Sequence, residues 1–165
     1  MIHQQNGNPM KDVVQELNEI VDAFARKLGS LSEDAMSKKQ NPEKWSKKEV
    51  IGHLIDSAQN NLRRFIICQY ETTPPKIVYD QDFWVKANNY QQMPASEVIT
   101  LWKLINRQIA QVLTEMDPIN YQKQCDSGRH SSQLHTVEWL AIDYVKHLKH
   151  HINQVFTGSF QIVYP

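Results

Sequence analysis

Cysteine is nearly absent from this chain of 165 residues, with 2, and glycine is scarce, with 5. Cys68 and Cys125 form no CxxC pair and no regular spacing, which leaves no disulfide framework to staple a fold. They read as reduced thiols of a cytosolic protein, and neither shows a local sign of activation as a nucleophile. Charge of one sign is also missing: 18 basic residues balance 18 acidic ones. A zero balance exerts no pull toward nucleic acid or an anionic membrane, and it protects weakly against self-association. No apolar run approaches the roughly 18 residues that a membrane span needs. The segment from Met1 to Met10 is polar and lacks the apolar centre of a signal peptide, so a cytoplasmic location is expected.

What the chain does have is helical periodicity. Its length fits one domain over residues 1–165, and 41% apolar residues are enough for a packed core without staples. Four helices are expected and no convincing strand pair. The first runs from about Met10 to Leu28, with Val13, Val14, Leu17, Ile20, Val21 and Phe24 at helical spacing and Gly29-Ser30 as the stop. The second opens on Ser46-Lys47-Lys48-Glu49, an S-x-x-E capping box, with Trp45 and Val50 placed to form a hydrophobic staple. It continues through His53, Leu54, Ala58, Leu62 and Phe65 to Tyr70, where Thr72-Thr73-Pro74-Pro75 ends it.

Glu71 to Met93 is long for a loop. Tyr79, Phe83, Trp84 and Tyr90 should pack it against the core, and a helical turn fits around Asp82 to Ala87. A connection of this length lets the third helix, about Ala95 to Met116, run parallel to the second. A polar stretch from Gln122 to Gln133 precedes the fourth helix, about Thr136 to Phe156.

Seven histidines are present, three of them near the end of the last helix. At about 100° per residue, Val137, Ala141, Tyr144, Leu148, Ile152 and Val155 form one apolar stripe. His151 lies at its edge and His147 one turn earlier on the same side, while His150 points away toward solvent. His147 and His151 are therefore an i, i+4 pair able to converge on one ion. A lone HxxxH reads equally well as two surface or core-edge histidines. A metal site needs a third ligand from elsewhere, and His53 fits if the second and fourth helices run antiparallel. Three histidines leave a coordination position for water or substrate. Asp143, four residues before His147, is placed to bond a ligand ring or to stand solvated. His3, His130 and His135 have no partner pattern and read as surface residues. Trp45, Trp84, Trp102 and Trp139 read as core and pocket packing. No Glu-x-x-His, GxGxxG, P-loop or HExxH occurs, which argues against di-iron, dinucleotide, nucleotide and zincin chemistry.

Two stretches resemble one known family. Lys44-Trp45-Ser46-Lys47-Lys48-Glu49-Val50-Ile51-Gly52-His53-Leu54-Ile55-Asp56-Ser57 resembles the Trp-Ser-x-x-Glu-x-x-x-His-Leu helix start of the DinB/YfiT-like metal-binding bundles. Trp139-Leu140-Ala141-Ile142-Asp143-Tyr144-Val145-Lys146-His147-Leu148-Lys149-His150-His151-Ile152-Asn153-Gln154 resembles their closing Tyr-x-x-His-x-x-x-His helix. The resemblance implies an all-α four-helix bundle, up-down-down-up, with a long crossover between helices 2 and 3. It implies one divalent metal (zinc, nickel or iron) on His53, His147 and His151, and often a homodimer. Relatives include transferases and isomerases that use low-molecular-weight thiols such as bacillithiol or mycothiol. The first expectation is thus a metal-dependent thiol S-transferase with a small-molecule substrate and catalytic residues not nameable from sequence. The alternatives are a non-catalytic, stress-associated metal-binding dimer and a metal-dependent hydrolase.

Overall fold

The computed structural model describes residues 9–164, so His3 lies outside the described residues. Four long helices carry the fold: α1 (Pro9–Gly29), α3 (Lys47–Tyr70), α5 (Ala95–Glu115) and α6 (Val137–Val155). Between them lie two short helices, α2 (Glu33–Ser37) and α4 (Gln81–Asn88), and two single turns, Tyr90–Gln92 and Pro118–Asn120. The four long helices agree with the sequence periodicity to within about two residues at each end.

Their directions follow from which ends meet. The Lys47 ammonium donates to the carbonyl of Val155, and the Lys123 ammonium before α6 donates to the carbonyl of Gln69, so α3 and α6 are antiparallel. Lys48 donates to the carbonyl of Met93, which brings the starts of α3 and α5 together and makes them parallel. Phe24 of α1 packs on Phe156 at the end of α6, so these two run the same way. The result is an up-down-down-up bundle in which α1 and α3 face each other diagonally, each flanked by α5 and α6.

The apolar stripes read from sequence form the core. Leu17, Ile51, Leu54, Ile55, Trp102, Ile109, Tyr144 and Leu148 are all essentially inaccessible. Helix α3 is buried on more than one face, and two of its buried amides are answered within the helix. Asn60 and Asn61 donate back to the carbonyls of Asp56 and Ser57, one turn earlier. Asn106 of α5 accepts from the Tyr144 hydroxyl at 2.6 Å across the bundle.

The start of α3 is built as expected and then reinforced. Ser46 accepts from the Glu49 amide while Glu49 accepts from the Ser46 amide. Lys48, only 2% exposed, is neutralised by Glu33 of α2. That bond, and the Ala95 amide donating to the other oxygen at 2.7 Å, hold the Glu33 carboxyl down at about 2. One carboxylate thus pairs the buried ammonium and caps α5, whose own N-cap residue, Pro94, makes no side-chain cap.

The expectation of no strand pair is corrected. Gln124–Asp126 (β1) and Leu134–Thr136 (β2) pair antiparallel, Cys125 opposite His135. Strands of three residues carry no readable period, and this ribbon is stabilised from outside. The Ile77 amide donates to the Asp126 carbonyl and the Asp126 amide to the Pro75 carbonyl.

The crossover packs against α3 through polar anchors. Arg64 donates to the carbonyl of Ile77 from two nitrogens, at 3.2 and 2.8 Å. Tyr90 is buried, whereas Phe83, expected to pack, is 67% exposed. The Tyr90 hydroxyl (2.6 Å) and the Asn88 amide (2.8 Å) donate to one oxygen of Asp56, while its other oxygen is buried with no partner among the described residues. Burial pushes the Asp56 carboxyl up to about 6, against the pull of those two donors. The Tyr90 ring lies on Gly52, where an added Cβ would sit 2.1 Å from Cδ2 of the ring.

Two stability predictions follow from this packing. Alanine is the better helix former by about 1 kcal/mol, yet Gly52→Ala should destabilise the fold by about 1–2 kcal/mol net, because the ring must be displaced. Gly29→Ala, where nothing lies within 4 Å of the new Cβ, should be neutral or stabilising; urea denaturation reads both. Asp56 titrates near 3.8 when unfolded and near 6 when folded. Its contribution to stability is therefore largest below the unfolded value and is lost as pH rises through 6. Between pH 5 and pH 8 the wild type should lose about 1–1.5 kcal/mol relative to Asp56→Asn. Parallel stability curves for the two proteins would contradict this.

Candidate metal centre

The antiparallel pairing of α3 with α6 brings together three rings that are 94 and 98 residues apart in sequence. His53 Nε2 lies 3.2 Å from His147 Nε2 and 3.2 Å from His151 Nε2. His53 is fully buried and the other two are half-buried. The rings meet edge to face, with interplanar angles of 71°, 67° and 70°. Their nitrogens form a group of potential ligand atoms that all lie within 4.8 Å of one another.

This geometry suits a cation. Tetrahedral ligand nitrogens about 2.0–2.1 Å from a zinc ion are roughly 3.3 Å apart, close to the spacing seen. The rings also favour the neutral form that a ligand needs. Burial, then the neighbouring His151, pushes His53 down to about 3. His147 is held well below its ordinary value by burial and by the other two rings. His151 is lowered by burial, partly offset by Gln154.

Hydrogen bonds at the far nitrogens orient two of the rings. His151 Nδ1 faces Gln154 Oε1 at 3.0 Å, which assigns the proton to Nδ1 and leaves Nε2 as the free lone pair. His147 Nδ1 faces the Ser57 hydroxyl at a longer 3.4 Å. Ser57 in turn is within reach of the Tyr79 hydroxyl. His53 Nδ1 is buried without a partner among the described residues, and the ring is held by packing against Trp45, centroids 5.1 Å apart.

Several sequence expectations change here. Asp143 does not bond His147; it accepts from the Tyr164 hydroxyl at 3.2 Å, and burial raises its carboxyl. His150 stays outside the cluster but is not free in solvent. It is half-buried, lies 5.5 Å from the Tyr164 ring and accepts from Gln154 Nε2. His135 stacks on Trp139 at 3.7 Å, and Trp139 is 46% exposed rather than part of the core. Trp102 is core, and Trp84 packs on Tyr79. His130 is exposed, as expected.

Sequence reasoning missed Ser57, Gln154 and Tyr164 as supports of the rings. Gln154 lies three residues after His151, a spacing at which a side chain on the same helix face can reach back. Ser57 and Tyr164 meet His147 only through tertiary packing and left no local sign. A cleft of about 500 Å³ opens behind Trp45 and Gln154, with Lys38, Lys44 and Lys47 on its wall.

Known proteins resemble this chain in sequence and in fold. A Bacillus mycoides (strain KBAB4) protein named as a candidate metal-dependent hydrolase is 21% identical over 110 residues. That alignment covers 67% of this chain and 63% of the relative, so the chain matches less than two thirds of the relative's length. YfiT of Bacillus subtilis, described in similar terms and as having an unusual four-helix bundle topology, superposes with a TM-score of 0.80 at 19% identity. The superposition covers 94% of this chain and 89% of YfiT. A mycothiol-dependent maleylpyruvate isomerase superposes with a TM-score of 0.71 at 7% identity, over 87% of this chain and 59% of the isomerase. At these identities the superpositions establish the fold. The model of the DinB superfamily matches residues 11–155, and the chain belongs to that superfamily.

Proposed function

We propose that His53, His147 and His151 hold one divalent transition metal, zinc, nickel or iron(II), and that the protein is a single-domain metal-dependent enzyme acting on a small molecule with a low-molecular-weight thiol. The observation that carries this reading is the convergence of three imidazoles, with His53 Nε2 at 3.2 Å from Nε2 of both others and all three within 4.8 Å of one another. A divalent ion bound there would lower the pKa of a thiol or water that joins it. Three neutral ligands leave the ion's full charge uncompensated, which favours an anionic fourth partner such as a thiolate.

The chain's own residues have defined parts in this scheme. Gln154 fixes the His151 tautomer, Ser57 orients His147, and Trp45 shields His53 from bulk water. The cleft lined by Lys38, Lys44 and Lys47 is bounded by Trp45 and Gln154, the residues that touch His53 and His151. The thiol-transfer reading is supported by the mycothiol-dependent isomerase among the structural relatives. A hydrolase is the second reading, supported by what the two Bacillus relatives are said to be. No helix among the described residues is long and apolar enough to cross a membrane, and a cytoplasmic location belongs to the proposal. So does a homodimer, for which Leu101 and Leu104, exposed on α5, offer an apolar contact.

Untagged protein should carry near-stoichiometric metal by plasma mass spectrometry. His53→Ala, His147→Ala and His151→Ala should each lose it, while the exposed-site control His130→Ala keeps it. Gln154→Ala should weaken metal affinity on the order of 10-fold, the usual scale for a residue that orients a ligand ring. No metal after reconstitution would sink the site.

The metal-loaded protein should then conjugate a cellular thiol to an electrophile, with activity absent from His147→Ala. Turnover of esters or amides without thiol conjugation would move the assignment to the hydrolase. Metal that stabilises the fold with neither activity would make the protein a non-catalytic metal-binding bundle.

A further inference from the structure

Three ammonium groups gather where α3 begins and α6 ends. Lys38, Lys44 and Lys47 stand on the wall of the cleft of about 500 Å³, and no acidic residue shares that wall with them. The chain as a whole is neutral, with 18 basic and 18 acidic residues. Three cations around one concave surface are therefore a local departure from an even mixture. The neighbouring acids are committed elsewhere. Glu49 pairs with Lys39 and accepts from the Ser46 amide, and Glu33 pairs with Lys48. Glu43 and Glu49 border a separate hollow that Lys44 and Trp45 also touch. Among the described residues, none of Lys38, Lys44 and Lys47 is in an ion pair.

The three lysines differ in how they are held. Lys47 is half-buried, and its ammonium donates to the Val155 carbonyl at 2.8 Å with the Phe156 ring 5.6 Å away. That bond fixes its charge at the cleft and leaves two of its three donors for a guest. Lys38 and Lys44 are exposed and free to close on an anion. Trp45, Val50 and Val155 supply apolar wall between the charges. The volume lies within the roughly 300–1,000 Å³ usual for small-ligand clefts. Two of the wall residues also touch the proposed metal ligands: Trp45 packs on His53, and Gln154 Oε1 lies 3.0 Å from His151 Nδ1.

We propose that this cleft binds a small organic anion with two or more negative charges, carried as carboxylates or phosphates, and that such polyanions are the substrate class of the metal site. The second half rests on the metal reading; the first does not. Three cations of one sign in a concave, partly apolar cleft raise the local concentration of a multivalent anion. A singly charged guest would leave two of them unanswered. Nucleic acid fits less well, because a duplex or strand is held by a run of basic residues that tracks its phosphates, and the rest of this surface is balanced.

The test uses the full-length, metal-free protein at low ionic strength. Inorganic phosphate and tricarballylate, a tricarboxylate, are titrated by calorimetry, with uncharged glycerol as the control. Both anions should bind and glycerol should not, and the tighter of the two names the head group. Nitrogen-resolved NMR should show the Trp45 indole and the Gln154 side-chain amide shifting, while the Trp102 indole, sealed in the core, stays put. Lys38→Gln and Lys44→Gln should each weaken binding about 2- to 5-fold, the scale of one exposed charge pair, and the double variant should weaken it further. Lys11→Gln, which removes the same charge at the start of α1, should leave binding unchanged. No binding of either anion, or equal weakening by Lys11→Gln, would overturn the proposal. So would capture of an oligonucleotide or an anionic vesicle with no binding of the small anions. In the metal-loaded enzyme, the lysine variants should raise KM for an anionic substrate and leave kcat alone. Anion binding in a protein that takes no metal would sink the metal reading and keep the cleft. Metal binding with no anion binding would do the reverse.

Discussion

Everything distinctive about this protein rests on the antiparallel packing of α3 against α6. That pairing alone sets the start of one helix beside the end of the other, and so places His53 against His147 and His151. Burying three imidazoles costs solvation, and they stay neutral as a result. His53 Nε2 stands 3.2 Å from the Nε2 atoms of both His147 and His151, and one ring nitrogen can donate to only one of them. That shortage of donors is what the proposed shared cation would meet, so the packing and the proposed metal chemistry are one problem.

The rest of the molecule can be understood as holding α3 in place. At its start, the capping box, the Glu33–Lys48 pair and Trp45 fix the turn that precedes His53. Along its length, Asp56 is tied to Tyr90 and Asn88, and Arg64 to Ile77, so the crossover is bonded to the helix it leaves. The close approach of Tyr90 over Gly52 belongs to the same fastening. This long connection returns the chain to the same end of the bundle and lets α5 run parallel to α3. It also brings Tyr79 within reach of Ser57, whose hydroxyl faces His147 Nδ1 at 3.4 Å.

Helix α3 is also the axis that separates two chemistries. One end carries the three histidines near a cleft walled by lysines. The other carries two buried cysteines, of which Cys68 borders a second cavity. About 15 residues lie between His53 and Cys68, roughly 22 Å of helix at 1.5 Å per residue. At that distance the thiols are not part of a histidine-centred site.

The sequence by itself determined the local events. Apolar spacing marked the four long helices, Ser46 and Glu49 marked where α3 begins, and the i, i+4 spacing put His147 and His151 on one face. These are legible because each rests on residues within one or two turns. Family resemblance, more than spacing, joined His53 to that pair. Only the tertiary structure decided the rest: that Ser57 and Tyr164 reach His147, that Asp143 turns to Tyr164, that Glu33 serves both Lys48 and the start of α5, and that Cys68 meets the Gln124 carbonyl of β1. The strand ribbon was invisible for the same reason, since three residues have no period and its bonds come from Pro75 and Ile77 some 50 residues away. Contacts between residues far apart are chosen by the packing of whole helices, and no local pattern records them.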